Sequence, residues 1–219
     1  MSTLSNYLTN KIIDWLKRGQ SFSPPGTLYY GMIVATKGGR ANSTAYSLND
    51  TIHLTATDGK PRLYKCTTAG TSAASQGSLY PGAANEVITD GTVAFTEQTS
   101  ALLSATSGAI NEPTIGAGAY ARVSVTSNMT NWAGTQSAGS TTASSGTTGT
   151  TSNNIAITFP APTSAWAAGS AQVAGWVAWD ASSAGNACEF GLLTTPKTVN
   201  NGDPAPSFAI GALSVMFNA

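Results

Sequence analysis

The sequence predicts an all-β protein: an antiparallel β-sandwich or jelly roll with one N-terminal α-helix and an inserted β-hairpin subdomain. Three observations predict it. Short apolar runs rich in β-branched and aromatic residues recur along the chain, clusters of Gly, Pro, Asn, Asp and Ser separate them, and no strand–helix–strand alternation is present. The 219 residues suffice for one domain, or for one domain with a smaller insert.

The helix comes first. From Leu4 to about Arg18, the apolar residues Leu4, Leu8, Ile12, Trp15 and Leu16 recur at helical spacing, and polar residues fill the other face. Lys17 and Arg18 suit its negative C-terminal end, and Gly19 can close it. The helix either packs on its own sheet or docks on a neighbouring subunit. After the break at Ser23 to Pro25, Thr27 to Thr36 (TLYYGMIVAT) reads as a strand buried on both faces.

Residues 40–111 read as an insert of small hairpins, and residues 1–39 and 112–219 as the sandwich core. In TIHLTA, Ile52, Leu54 and Ala56 alternate with Thr51, His53 and Thr55, which places His53 on the solvated face. Asp58-Gly59 and Asp90-Gly91 are turn signals. RLYKCTT, EVIT and TVAFTE supply the strands around them, and SALLSATSGA leads back to the core. AYARVSVT shows the clearest alternation, with Ala119, Ala121, Val123 and Val125 opposite Tyr120, Arg122, Ser124 and Thr126. Residues 134–154 are a low-complexity Ser/Thr/Gly stretch, too poor in apolar groups to order itself, so a mobile loop or a partner-fixed arm is expected. IAITF, AQVAGWVAWDA, CEFGLLTT and FAIGALSVMF complete the strands.

Charged residues make up only 9% of the chain, against about 25% in ordinary soluble domains, and the formal net charge is zero. Ser and Thr account for roughly a quarter. No dense positive field is available for nucleic acid. A surface with so few like charges resists self-association poorly, so assembly is the natural expectation. The N terminus lacks a signal-peptide pattern, and no apolar run approaches the roughly 18 residues of a membrane span. A soluble product of a reducing cytoplasm is expected, with no membrane partner. Cys66 and Cys188 lack a CxxC or Cys/His setting and read as free buried thiols.

Catalytic constellations are hard to build from these residues. His53 is the only histidine, so any triad, dyad or histidine-rich metal site has to use it. Asp50, Asp58, Asp90, Asp180 and Asp203 sit mostly beside Gly, Asn or Ser, where Asp caps turns. GAGAY precedes a strand and GGR follows one, so neither forms a strand-to-helix phosphate loop. The expectation is no enzyme, no cofactor and no metal. Trp176 and Trp179 lie in an apolar run and read as core, whereas Tyr80 in SLYPG and Trp132 in NMTNWAGTQ read as loop residues open to a glycan or a protein partner.

Three blocks carry a resemblance: SNYLTNKIIDWLKRGQSFSPPGTLYYGMI, GAGAYARVSVTSNMTNWAGTQSAGSTTASSGTTGTTSNNIAITFPAPTSAW, and LLTTPKTVNNGDPAPSFAIGALSV. Together they resemble a family of small phage and prophage structural proteins, usually labelled tail-fibre-like and similar to capsid cement subunits of some podoviruses. Typical members join the first strand to AYARV by a brief Gly-rich turn, so residues 40–111 depart from that pattern. The insert resembles a small β module of phage tail and adhesion proteins through YKCTTAGT and ITDGTVAFTE, with Tyr80 at the usual position of a tryptophan. An insert there is expected to project as a knob or an extra inter-subunit contact.

The resemblance implies a virion protein without catalytic residues, made in the host bacterial cytoplasm. The leading expectation is a capsid decoration (cement) protein that binds the major capsid protein and copies of itself. The alternative is a tail or tail-fibre component that binds tail proteins and contacts a surface glycan through the insert. The candidate partner contacts are Trp15 on the helix, Tyr80 and Trp132 in loops, and Thr141, Ser145 and Thr148 in the Ser/Thr-rich arm.

Overall fold

The structure is a computed structural model that describes residues 2–76, 80–104 and 110–216. The chain opens with strand β1 (Ser2–Leu4) and then helix α1 (Asn6–Arg18). Leu4 therefore ends a strand, where helical spacing had assigned it to the helix. Ser5 causes the change: its backbone is extended, and its hydroxyl accepts from the Leu8 amide at 3.2 Å to start the helix. At the other end Gly19 takes the left-handed conformation (φ 67°) and closes α1.

Strand β2 (Thr27–Ala35) follows, buried from Tyr30 onward. The segment after it forms β3 (Ala45–Tyr46), β4 (Thr51–Thr55), β5 (Pro61–Thr68), β6 (Gly70–Thr71), β7 (Val87–Asp90) and β8 (Val93–Glu97). Both Asp-Gly pairs make the tight turns expected of them, with Gly59 and Gly91 at φ 73° and 71°. The antiparallel sheet β4-β5-β8-β7 encloses a cluster of its own, including Ile52, Tyr64, Cys66, Tyr80, Val93 and Phe95.

This segment does not stand clear of the rest as a knob. The Thr36 and Thr51 hydroxyls each accept from the other residue's amide (2.8 and 2.9 Å), the His53 amide donates to Gly38 O at 2.7 Å, and Leu63 enters a cluster with Ile33, Val177 and Phe190. His53 is buried, in contrast to the solvated position that strand parity gives it. Its Nε2 donates to Leu193 O at 2.8 Å. Strand β4 is covered on both sides, by the segment's own core and by the main sheet, so alternation there marks two interiors.

Helix α2 (Thr99–Leu103) begins the return to the main sheet, and Leu102 and Ile110 join the same cluster. Residues 105–109 of the SALLSATSGA connection lie outside the described residues. The AYARV alternation is shorter than its pattern. Ala117–Ala119 form a 3-10 turn entered through Gly116 (φ 88°), and only Val123–Thr126 form a strand, β9. Tyr120 is buried.

The remaining strands are β10 (Thr150–Ser152), β11 (Ile157–Thr158), β12 (Gln172–Trp179), β13 (Ala187–Lys197), β14 (Ser207–Phe208) and β15 (Ser214–Met216). FAIGALSVMF is thus two short strands, divided by a turn with Gly211 at φ 74°. They pair with different partners, β14 with β11 and β15 with β10. The main sheet has the antiparallel order β1-β13-β12-β2-β9. On one face Tyr30, Met32 and Trp176 pack with Tyr120, Phe159, Trp166, Leu213 and Val215 beneath the two small ladders; on the other, Ile33, Val177, Trp179 and Phe190 pack beneath the hairpin segment. Each large side chain so buried contributes about 1.5–3 kcal/mol. The fold is mostly β and antiparallel, as the sequence predicts, and Cys66 and Cys188 are free and buried.

A buried ion pair fastens β9 to the sheet. Arg122 donates to both carboxylate oxygens of Glu112 (Nε to Oε1 at 3.0 Å, a terminal nitrogen to Oε2 at 2.7 Å) and lies 4.2 Å from the Trp179 ring centroid. Tyr120 donates to Glu112 at 2.6 Å and accepts from the Met32 amide at 2.9 Å. A Cβ at position 31 would collide with Glu112 Oε1, so a larger residue there must push that carboxylate away from Arg122 and Tyr120.

Candidate partner-contact surface

The apolar row predicted for α1 forms, but the chain buries little of it. None of its 13 residues is buried. Leu8 and Ile12 are half-buried, while Ile13, Trp15 and Leu16 are 47%, 56% and 62% exposed. The row starts on the body of the protein and runs off its edge. Anchorage comes from the first turn, where the buried Ser5 donates its amide to Cys188 O at 2.8 Å. Asp14 and Arg18 pair along the helix at 2.6 Å, which leaves Lys11 and Lys17 as its other cations.

Beneath the base of α1 lies a cavity of about 220 Å³, with Leu8, Leu28, Tyr30, Trp132, Glu189 and Val215 among its walls and Pro24 and Pro25 at its side. Glu189 is the unexpected member. Its Oε1 accepts from the Tyr30 hydroxyl at 3.1 Å, and no other hydrogen bond reaches its carboxyl group among the described residues. Burial pushes the Glu189 pKa up to about 7, and only the Tyr30 hydroxyl works against that rise. Burial, with Glu189 beside it, raises Tyr30 in turn. Cys188, also on the wall, is raised to about 12 by burial and by the nearby Asp180 and Glu189 carboxyls, so its thiol is an inert one.

The sequence-predicted contacts separate into three groups. Trp132 is half-buried on the cavity wall, its ring centroid 5.8 Å from that of Tyr30. Trp15 stands on the exposed end of α1. Thr141, Ser145 and Thr148 are exposed on the Ser/Thr-rich segment, which is a hydrogen-bonded loop on its own scaffold rather than a free arm. There the Gln136 side chain donates to Thr142 Oγ1 at 2.9 Å and accepts from the Ser145 amide at 3.1 Å, Thr148 donates to Thr135 O at 3.0 Å, and β10 pairs with β15. Side-chain amides and hydroxyls thus supply the order that apolar burial cannot. Thr142 and Trp132 line one shallow recess, so the loop adjoins the cavity. Tyr80 belongs to none of these: its ring is inside the hairpin segment's core and its hydroxyl donates to Asp90 Oδ2 at 2.7 Å. Its neighbours Ser78 and Leu79 lie outside the described residues.

Sequence reasoning missed Glu189, and it read Cys188 as a buried free thiol without placing it on a cavity wall. In CEFGLL one acid between apolar residues has the pattern of a solvated outward position, and only the covering of both faces of β13 reverses it. Among the described residues no three His, Cys, Asp or Glu side chains gather as a metal site, and no helix is long and apolar enough to cross a membrane.

No curated protein matches the chain. Residues 92–216 match the family model described as Podophage GP4 fiber I protein gp80, from the β7–β8 turn through β15. The N-terminal block with α1 lies outside that range. The match covers more than half of the sequence, and the chain therefore belongs to this family of tailed-phage structural proteins.

Proposed function

We propose that the chain is a non-enzymatic capsid decoration protein that binds the assembled phage shell and stabilises it. The observation that carries this reading is α1, a capped amphipathic helix none of whose residues is buried in its own chain. Exposing Ile13, Trp15 and Leu16 together is costly in a free monomer, and burying each against another subunit returns about 1–3 kcal/mol. A protein that binds only the assembled lattice stabilises it by mass action. Every described strand finds its partner within the same chain, which suits a self-contained subunit attached to a surface better than an intertwined shaft.

The competing place is the tail or a fibre, and the family match does not distinguish it from the shell. To test the shell reading, the purified protein is mixed with undecorated mature capsids and pelleted with them, and the heat resistance of the decorated particles is measured. Saturable co-sedimentation and a raised melting temperature are expected. Absence of both overturns the shell assignment.

A further inference from the structure

We propose that Trp15 of one copy seats in the α1-base cavity of a second copy, with the two α1 helices antiparallel and the indole N–H donating to Glu189. The proposal rests on the reading of α1 as an intermolecular contact: within it Trp15 meets a second copy, and Ile13 and Leu16 remain for the shell.

The cavity defines what it can accept. Its walls are mainly apolar, with Ser127, Thr151 and Cys188 among them, and Glu189 is their one carboxyl, which has a single hydrogen bond from Tyr30. A buried carboxyl with unused acceptor capacity gains from one donor, and the surrounding Leu8, Leu28, Trp132 and Val215 gain from a large apolar body. An indole supplies both, and Trp15 is the one exposed tryptophan among the described residues.

Helix geometry makes the exchange reciprocal. Leu8 and Trp15 are seven positions apart on the same stripe, about 10 Å along the axis at 1.5 Å per residue. A two-fold axis between residues 11 and 12 of paired antiparallel helices places each Trp15 opposite the other copy's Leu8, at the cavity. Both contacts then form together, as an isologous interface requires.

The test is sedimentation of the full chain over a range of concentrations. Wild type is expected to show a monomer–dimer equilibrium. Trp15→Ala, and separately Ser127→Trp, which blocks the cavity at an exposed wall position, are each expected to raise the dissociation constant roughly 30-fold or more. An equimolar mixture of the two variants keeps one intact Trp15 and one intact cavity, so it is expected to pair more tightly than either variant alone. Three results overturn the proposal: a wild-type chain that stays monomeric, variants that pair like wild type, or a mixture no tighter than its components. A monomeric wild type whose Trp15→Ala variant still loses capsid binding overturns the self-pairing while leaving α1 as the shell contact.

Discussion

Replacing Glu189 with Gln removes the one buried acid of the cavity while keeping a neutral acceptor for the Tyr30 hydroxyl. In the folded protein Glu189 titrates at about 7, against an ordinary value of 4.5. Because the folded value is the higher one, the stability held by the neutral acid is fully present below 4.5 and is lost as the pH rises from there through about 7. At about 1.4 kcal/mol for each pH unit between the two values, the loss is on the order of 3 kcal/mol. Urea denaturation of wild type and Glu189→Gln at pH 4.5 and at pH 8 measures it. The variant is expected to match wild type within about 1 kcal/mol at the lower pH and to exceed it by about 3 kcal/mol at the higher. A variant with the same difference from wild type at both pH values refutes the reasoning, because Glu189 would then titrate in the folded protein as it does in the unfolded chain.

Other perturbations probe the rest of the account. His53 is held neutral by burial, with its pKa below the ordinary 6.5, so the stability it contributes is present above 6.5 and lost as the pH falls through the folded value; His53→Gln is expected to flatten that acid limb in the same denaturation series. Arg122→Met leaves Glu112 without its cation and is expected to cost about 3 kcal/mol in urea denaturation at pH 7. The combined change of Ile13, Trp15 and Leu16 to Ser is expected to leave the unfolding midpoint nearly unchanged, since these side chains are exposed, yet to abolish capsid co-sedimentation. Gln136→Ala removes the tie across the Ser/Thr loop and is expected to speed proteolysis within residues 137–148, read by mass spectrometry of the fragments.

The sequence showed what is local. The Asp-Gly turns, the β2, β12 and β13 runs and α1 with its Gly19 stop are each written in adjacent residues, and each formed. The misreadings share one cause, that burial is decided by elements distant in the chain. Strand parity put His53 in solvent because the pattern of β4 cannot show that Leu193, 140 positions later, supplies the carbonyl beneath it. The same holds for Glu189, whose face is closed by Tyr30 and by the α1 segment. Tyr80 reads as a loop residue until Asp90 and the β5–β8 pair enclose it. The AYARV and FAIGALSVMF misreadings are backbone effects, since the left-handed residues Gly116, Ala119 and Gly211 cut strands that hydrophobic alternation alone would extend. Of the surface itself, Trp15 and Trp132 were legible by type and spacing. The cavity that Trp132 helps to line, and its distance from the exposed end of α1, were not.

A capsid-bound role places this phage structural protein on the outside of the head. Gold-labelled antibody against the purified chain, imaged on intact virions, tests it most directly. Label distributed over the head is the predicted result, and label confined to the tail or its fibres contradicts it.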